Sequence, residues 1–219
     1  MKAIIFDMDG VLIDSEPFWQ QAEVDVFNRH GVPVTFEMAE STMGLRIDLV
    51  VEHWFKHYPC DASVAQLSRE ILDAVGELVA EQGQAMPGLF ECLKRIQQLN
   101  VPIGLATSSP LPLAHTVIQR LGLESVFNAV LSAEKMQYGK PHPQVYQDCA
   151  EALGVSPLDC LAIEDSITGL ISAKAARMKA LAVPPEIFFN KSGYGIADLK
   201  LSRLDELTNT HLTELGFSV

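Results

Sequence analysis

Positive charge is scarce in this sequence: 16 Lys and Arg stand against 28 Asp and Glu, a formal net charge of −12. Without a broad cationic surface the chain is a poor nucleic-acid binder. The overall field also repels anionic metabolites, so a phosphate ester could be held only by a local cluster of cation, lysine and backbone N–H groups. Cysteine is sparse as well. Cys60, Cys92, Cys149 and Cys160 form no Cys-x-x-Cys pair and have no histidine partner at zinc spacing, so reduced core thiols are expected. His30, His53, His57, His115 and His211 are too dispersed for a histidine metal site, and His142, between Pro141 and Pro143, reads as a structural loop residue. No apolar run approaches the roughly 18 residues of a membrane span, and Met1 to Phe6 reaches an aspartate too soon for a signal h-region. A cytoplasmic protein, monomeric and without membrane or nucleic-acid partners, is the expectation.

Repeats and low-complexity tracts are absent too, and with 48% hydrophobic and 20% charged residues the composition is that of a folded protein. A length of 219 residues suits one well-buried domain with a smaller appended unit. Ala3-Ile4-Ile5-Phe6 is a short apolar, β-branched run stopped by Asp7 and Gly10, the pattern of a buried strand with polar residues at its carboxyl end. The pattern recurs at Pro102 to Ala106 before Thr107, at Cys160 to Ile163 before Glu164, at Ala180 to Val183 before Pro184, and more weakly at Ala129-Val130-Leu131. Helical periodicity over Gly88 to Leu99, Leu113 to Leu121, Pro143 to Leu153 and Thr168 to Met178 separates these runs. Alternating strands and helices predict an α/β fold with a doubly wound parallel sheet, Rossmann-like. In such sheets ligands bind beyond the carboxyl ends of the strands, where Asp7, Thr107, Glu164 and Asp165 would emerge.

From about residue 15 to residue 83 the periodicity is helical throughout. Ile47, Val51, Trp54, Phe55 and Tyr58 share one face, and Val64, Leu67, Ile71, Val75 and Leu78 another. Ser63 reads as an N-cap and Gly83 as a helix stop. The expected organisation is therefore an α/β core of residues 1–14 and 84–219, with an inserted α-helical cap of residues 15–83 hanging over the site.

Asp7 and Asp9 flank Met8, so at a strand end both carboxylates can face one cleft while Met8 packs inward. At ~4 Å and an effective dielectric near 20 each like-charge pair costs about 4 kcal/mol, so Asp7, Asp9, Glu164 and Asp165 together call for a cation. All-oxygen ligands of this kind suit Mg²⁺. Phosphoryl transfer needs an in-line nucleophile, neutralised equatorial oxygens and a proton for the leaving group, and two aspartates can supply nucleophile and acid. Thr107-Ser108-Ser109 follows a strand and precedes Pro110, so its hydroxyl and N–H groups could hold a phosphate at a helix N-terminus. Lys140, in Gly139-Lys140-Pro141, offers a cation from a loop.

Taken in order, Asp7-Met8-Asp9-Gly10-Val11-Leu12-Ile13-Asp14-Ser15, Thr107, Lys140 and Glu164-Asp165 resemble the four motifs of the haloacid dehalogenase superfamily, and the helical insert falls where its β-phosphoglucomutase-like subfamily places a cap. The resemblance covers essentially the whole chain. It implies that Asp7 is nucleophile and metal ligand, Asp9 general acid and base with its carbonyl on the metal, and Thr107 and Lys140 the phosphoryl-binding pair. It implies further that Asp165, with Glu164, completes the Mg²⁺ site and that Gly10 to Asp14 joins core to cap. Asp14-Ser15-Glu16-Pro17, Gly44-Leu45-Arg46-Ile47-Asp48 and Lys140 to Tyr146 resemble bacterial phosphatases of 2-deoxyglucose 6-phosphate and hexitol phosphates. Glu16, Gly44, Arg46 and Ser108 thereby become candidate substrate contacts. The function implied is Mg²⁺-dependent hydrolysis of a small sugar or sugar-alcohol phosphate through a phospho-aspartate on Asp7. A phosphomutase on the same scaffold is the nearest alternative, and a non-catalytic sensor of phosphorylated metabolites is the alternative from another class.

Overall fold

The computed structural model describes residues 1–42 and 45–219. The first apolar run forms β1 (Ala3–Phe6), buried over its whole length. The later runs form β2 (Ile103–Thr107), β3 (Ala129–Ser132), β4 (Cys160–Glu164) and β5 (Lys179–Ala182). A further strand, β6 (Leu199–Lys200), is two residues long, too short to carry a period that sequence could reveal. All neighbouring strands pair in parallel, in the order β3-β2-β1-β4-β5-β6. The order reverses beside β1, which makes its carboxyl end the crevice where such sheets take ligands.

The pleat divides each strand between two apolar layers. Ile4 and Phe6 join Ile103, Leu105, Leu161 and Ile163 on one face. Against them pack α5 (Leu89–Gln97) and α6 (Leu111–Leu121), through Leu89, Ile96, Val117 and Ile118. The other face is built from smaller residues, Ala3, Ala106, Ala162, Ala180 and Ala182, and carries α7 (Gln144–Ala152) and α8 (Ile167–Ala175). The small residues let helix and sheet approach closely. A Cβ on Gly104 would sit 2.5 Å from Cys149 Sγ of α7, so only glycine fits there.

Between β1 and β2 the chain runs through α1 (Glu16–Arg29), α2 (Phe36–Ser41), α3 (Ile47–Phe55) and α4 (Val64–Gln82). Ser63 caps α4, its hydroxyl accepting from Gln66 N at 3.2 Å. The buried stripe of α4 is Leu67, Ile71, Val75 and Val79, one residue in every four, so Val79 stands where the sequence pattern placed Leu78. Gly83 ends α4 without a left-handed turn: its φ is −53°, and glycine is needed because a Cβ would lie 2.6 Å from Val79 O.

The two passages between sheet and insert run side by side. Ile13 and Ala85 form an antiparallel bridge, Met86 N donates to Leu12 O at 2.9 Å and Asp14 N to Gln84 O at 3.2 Å. Helix α4 packs on α1, α3 and the core helix α6, and Arg120 Nε donates to Gly83 O at 3.0 Å. The short α9 (Asn209–Glu214) closes the chain, with Leu212 buried in the larger layer.

Candidate active site

Asp7 follows the last residue of β1, Thr107 ends β2, Glu164 ends β4, and Asp165 comes next. Lys140 lies in the loop between β3 and α7 and reaches the same sheet edge. Its ammonium donates to Asp7 Oδ1 at 2.6 Å, to Glu164 Oε1 at 2.7 Å and to Ala106 O at 2.9 Å. Tyr146 of α7 donates its hydroxyl to Glu164 Oε1 at 2.6 Å, and the ammonium sits 4.8 Å from the centre of its ring. Thr107 and Glu164 are fully buried, and Asp7 and Lys140 nearly so.

A lone cation so deeply buried would lose its proton. Burial does push against the charge on Lys140, but the Asp7 and Glu164 carboxylates outweigh it and hold the ammonium above its ordinary value. Asp7 goes the other way. Burial pushes its carboxyl up to about 7, against the pull of Lys140 and with the help of the negative charge on Glu164 and Asp9. Asp165 is likewise raised by burial and then by Asp7 and Glu164. Three carboxylates thus share one lysine's charge, which offsets only part of the burial that raises Asp7 and Asp165.

That surplus suits a hard cation. Asp7, Glu164 and Asp165 each offer a carboxylate oxygen within 4.8 Å of the others, an all-oxygen donor set of the kind Mg²⁺ accepts. Glycine keeps the approach open: a Cβ on Gly10, which has φ +73°, would lie 2.2 Å from Asp165 Oδ2. A Cβ on Gly169 would lie 1.9 Å from Glu164 Oε1. Because Glu164 Oε1 already receives Lys140 and Tyr146, only Oε2, which accepts from Ser166 Oγ at 3.1 Å, faces other duties.

The carboxylate of Asp9 stands apart from that cluster. Oδ1 accepts from Ser15 Oγ at 2.5 Å and from Trp19 Nε1 at 3.0 Å, and Oδ2 accepts from Ser109 Oγ at 2.7 Å. Two of these donors belong to the entry of α1 and the third to the loop after β2, so the insert and the sheet together orient the side chain. Thr107 Oγ1 accepts from Ser109 N at 3.0 Å, and Ser132 Oγ donates to Ser109 O at 2.7 Å.

Between sheet edge and helices lies a cavity of about 610 Å³, within the range of roughly 300–1,000 Å³ usual for small-molecule sites. Asp7, Asp9, Ser108, Lys140 and Asp165 line its floor, while Glu16, Gln20, Glu23, Arg46 and Ser68 line the side formed by the insert. Gly44 lies outside the described residues. Glu16 accepts from Gln20 Nε2 at 3.0 Å, and burial pushes its carboxyl up to about 7 against that hydrogen bond. Arg46 makes four hydrogen bonds within the protein. Nε and Nη2 donate to the two oxygens of Asp48 at 2.6 and 2.7 Å, and Nη1 reaches Met136 O at 2.8 Å and Ala133 O at 3.4 Å. It thereby ties the start of α3 to the loop after β3. His142 is exposed, and its Nδ1 accepts from Gln144 N at 3.4 Å, in keeping with a structural role.

Tyr146, Ser109, Ser15 and Trp19 hold the charged groups in place, and no motif in the sequence assigned them that part. Ser109 adjoins the candidate Ser108, and which of the two adjacent hydroxyls meets Asp9 depends on the turn after β2.

Residues 1–177 match the family model described as haloacid dehalogenase-like hydrolase. The chain is 45% identical over 209 residues to hexitol phosphatase B of Escherichia coli K12, covering 94% of each chain. Among solved structures, CbbY from Rhodobacter sphaeroides in complex with phosphate superposes with a TM-score of 0.87 at 23% identity, over 97% of this chain and 99% of that one. β-Phosphoglucomutase from Clostridium difficile gives 0.85 at 23% identity, over 98% and 96%. These two likenesses speak to the fold.

Proposed function

The chain belongs to the haloacid dehalogenase-like hydrolases, and on that premise we propose that it hydrolyses sugar or sugar-alcohol monophosphates through a phospho-aspartate on Asp7. It is a phosphoric monoester hydrolase. The observation that carries the mechanistic reading is the convergence of Asp7, Lys140, Glu164 and Asp165 at one sheet edge, beside an independently held Asp9. The substrate class is supported by the 45% identity to a hexitol phosphatase over nearly the whole chain.

In this reading a carboxylate oxygen of Asp7 attacks phosphorus and the ester P–O bond breaks. The departing alkoxide takes a proton from the carboxylic acid of Asp9. Asp9, now ionised, removes a proton from water as that water attacks the phospho-aspartate, and the Asp7–phosphorus bond breaks to release phosphate. Lys140 holds Asp7 through Oδ1 and, with Thr107, sets a positive and hydrogen-bonding environment for the phosphoryl oxygens. Glu164 and Tyr146 fix the lysine. Mg²⁺, held by Asp7 and Asp165 with Glu164 beside them and the Asp9 carbonyl as a further ligand, would neutralise the clustered carboxylates and the incoming phosphate. We assign residues 15–83 to a cap over a core of 1–14 and 84–219. The paired segments around Ile13 and Ala85 would be its hinge.

Three measurements test this. Phosphate release should be higher from hexitol and hexose phosphates than from nucleoside monophosphates or p-nitrophenyl phosphate, and a panel led by nucleotides would overturn the substrate class. Activity should vanish in EDTA and return with Mg²⁺, and Mg²⁺ at about 100 times its Kd should add about 2.7 kcal/mol of stability. Full turnover after exhaustive chelation would contradict the metal site. Finally, Arg46→Ala removes the tie between α3 and the loop after β3, so kcat/KM should fall by about tenfold, 1.4 kcal/mol, on every substrate alike. A loss confined to hexitol phosphates would instead make Arg46 a direct sugar contact.

A further inference from the structure

Among the described residues, three buried side-chain polar atoms have no hydrogen-bond partner: Glu23 Oε2, Ser68 Oγ and Trp54 Nε1. Two of the three, Glu23 and Ser68, line the same cavity as Asp7 and Lys140, although they come from different helices, α1 and α4. Glu23 is 7% exposed and Ser68 8%. An unsatisfied buried polar group costs about 1–3 kcal/mol, so two facing one cavity, far in sequence from the phosphoryl chemistry, imply an occupant that supplies their partners.

The surroundings restrict what that occupant is. On α1, Glu16, Gln20 and Glu23 recur at i, i+4 and i+7 and so form one polar stripe, with Ser68 and Leu72 opposite on α4. Glu40 and Asp48 also line the cavity. Among the described lining residues the only cation besides Lys140 is Arg46, each of whose nitrogens already donates to Asp48 or to the Ala133 and Met136 carbonyls. A second phosphate would meet a lining rich in carboxyl groups without a cation of its own. Neutral hydroxyls both give and accept hydrogen bonds, and burial pushes the Glu23 carboxyl up to about 8, leaving it mostly uncharged near neutrality and so a weak lure for an ammonium group.

We propose that Glu23 and Ser68, with Gln20 beside them, form a subsite that recognises hydroxyl groups at the end of the substrate remote from phosphate, so that the enzyme selects neutral polyhydroxylated monophosphates and rejects bisphosphates. This rests on the sugar-phosphatase reading and adds to it the residues that discriminate. Water can fill the same positions without discriminating between substrates, so the readout must be selectivity.

The experiment compares wild type, Glu23→Leu, Glu23→Gln and Ser68→Ala on sorbitol 6-phosphate, its analogue lacking the hydroxyl at carbon 1, and p-nitrophenyl phosphate, with Tm measured for each protein. Glu23→Leu removes an unpaired buried carboxyl, so Tm should rise. Its kcat/KM on sorbitol 6-phosphate should nevertheless fall by about tenfold to a hundredfold, the range set by losing one hydrogen bond to a buried polar group. Hydrolysis of p-nitrophenyl phosphate should be unchanged. Ser68→Ala should show the same pattern with a smaller loss, Glu23→Gln should recover part of it, and the deoxy analogue should lose little further in Glu23→Leu. Equal losses on all substrates, or wild-type selectivity in all three variants, would overturn the subsite while leaving the phosphatase reading intact. A wild type that cleaves p-nitrophenyl phosphate but no polyol or sugar phosphate would overturn both. A preference for hexose bisphosphates or amino-sugar phosphates would overturn the neutral-hydroxyl assignment.

Discussion

Asp7→Asn should abolish turnover, leaving less than about a hundredth of the wild-type rate, a loss of more than 2.7 kcal/mol in transition-state stabilisation. The amide lacks the lone-pair reactivity of a carboxylate, and no other side chain occupies the position after β1. Folding should survive. In the metal-free protein Asp7 is pushed up to about 7 from an ordinary 3.8, by burial first, with Glu164 and Asp9 adding to the rise and Lys140 opposing it. An acid whose folded-state value is raised binds more protons folded than unfolded between those two values, so its contribution to stability declines as pH rises through that window. Asn has no such proton. Thermal denaturation in EDTA should therefore show Asp7→Asn gaining on wild type from pH 4 to pH 7, by an amount on the order of a few kcal/mol. Single-turnover assays with a hexitol phosphate supply the kinetic half of the test, and retained turnover would end the covalent mechanism.

Lys140→Ala should cost both activity and stability, and the two must be separated. Lys140 is 6% exposed, and its ammonium bridges Asp7 and Glu164 at 2.6 and 2.7 Å. Removing one partner of a buried ion pair typically costs about 3–5 kcal/mol, because the other charges stay behind unpaired. For a chain of this size about 2–4 °C is lost per kcal/mol, so a fall in Tm of roughly 10 °C is expected. Catalysis should drop by orders of magnitude in kcat, because the same charge orients Asp7 and faces the phosphoryl oxygens. Lys140→Met paired with Glu164→Gln removes a charge of each sign and should recover much of the Tm without recovering kcat. If the paired variant regained turnover along with stability, Lys140 would serve the fold alone.

How much of this was legible in advance varies with distance along the chain. Asp7, Thr107, Glu164 and Asp165 were readable because each stands at the end of a short apolar run, a local pattern of adjacent residues, and parallel pairing then brings all such ends to one edge. Ser63 as the cap of α4 was readable for the same reason, since its partner Gln66 is three residues away. The edge strand β6, of two residues, carried too little pattern to find. The buried stripe of α4 was placed one residue off at Val79, because both Leu78 and Val79 are apolar and only packing against α1 and α6 chooses between them.

Sequence by itself determined the layered α/β architecture, the helical run between the first two strands and the polar side chains gathered at the strand ends, because these follow from periodicity, residue type and the handed, short connections that parallel strands permit. Only the tertiary structure decided which partner each charged group meets. Lys140 finds Asp7 across 133 residues and Ser109 finds Asp9 across 100, Arg46 reaches the loop after β3, and Glu23 and Ser68 come to share one cavity from separate helices. Each of these pairings depends on where two elements are held against one another by the apolar core, a property of the packed chain as a whole that no local stretch of residues encodes.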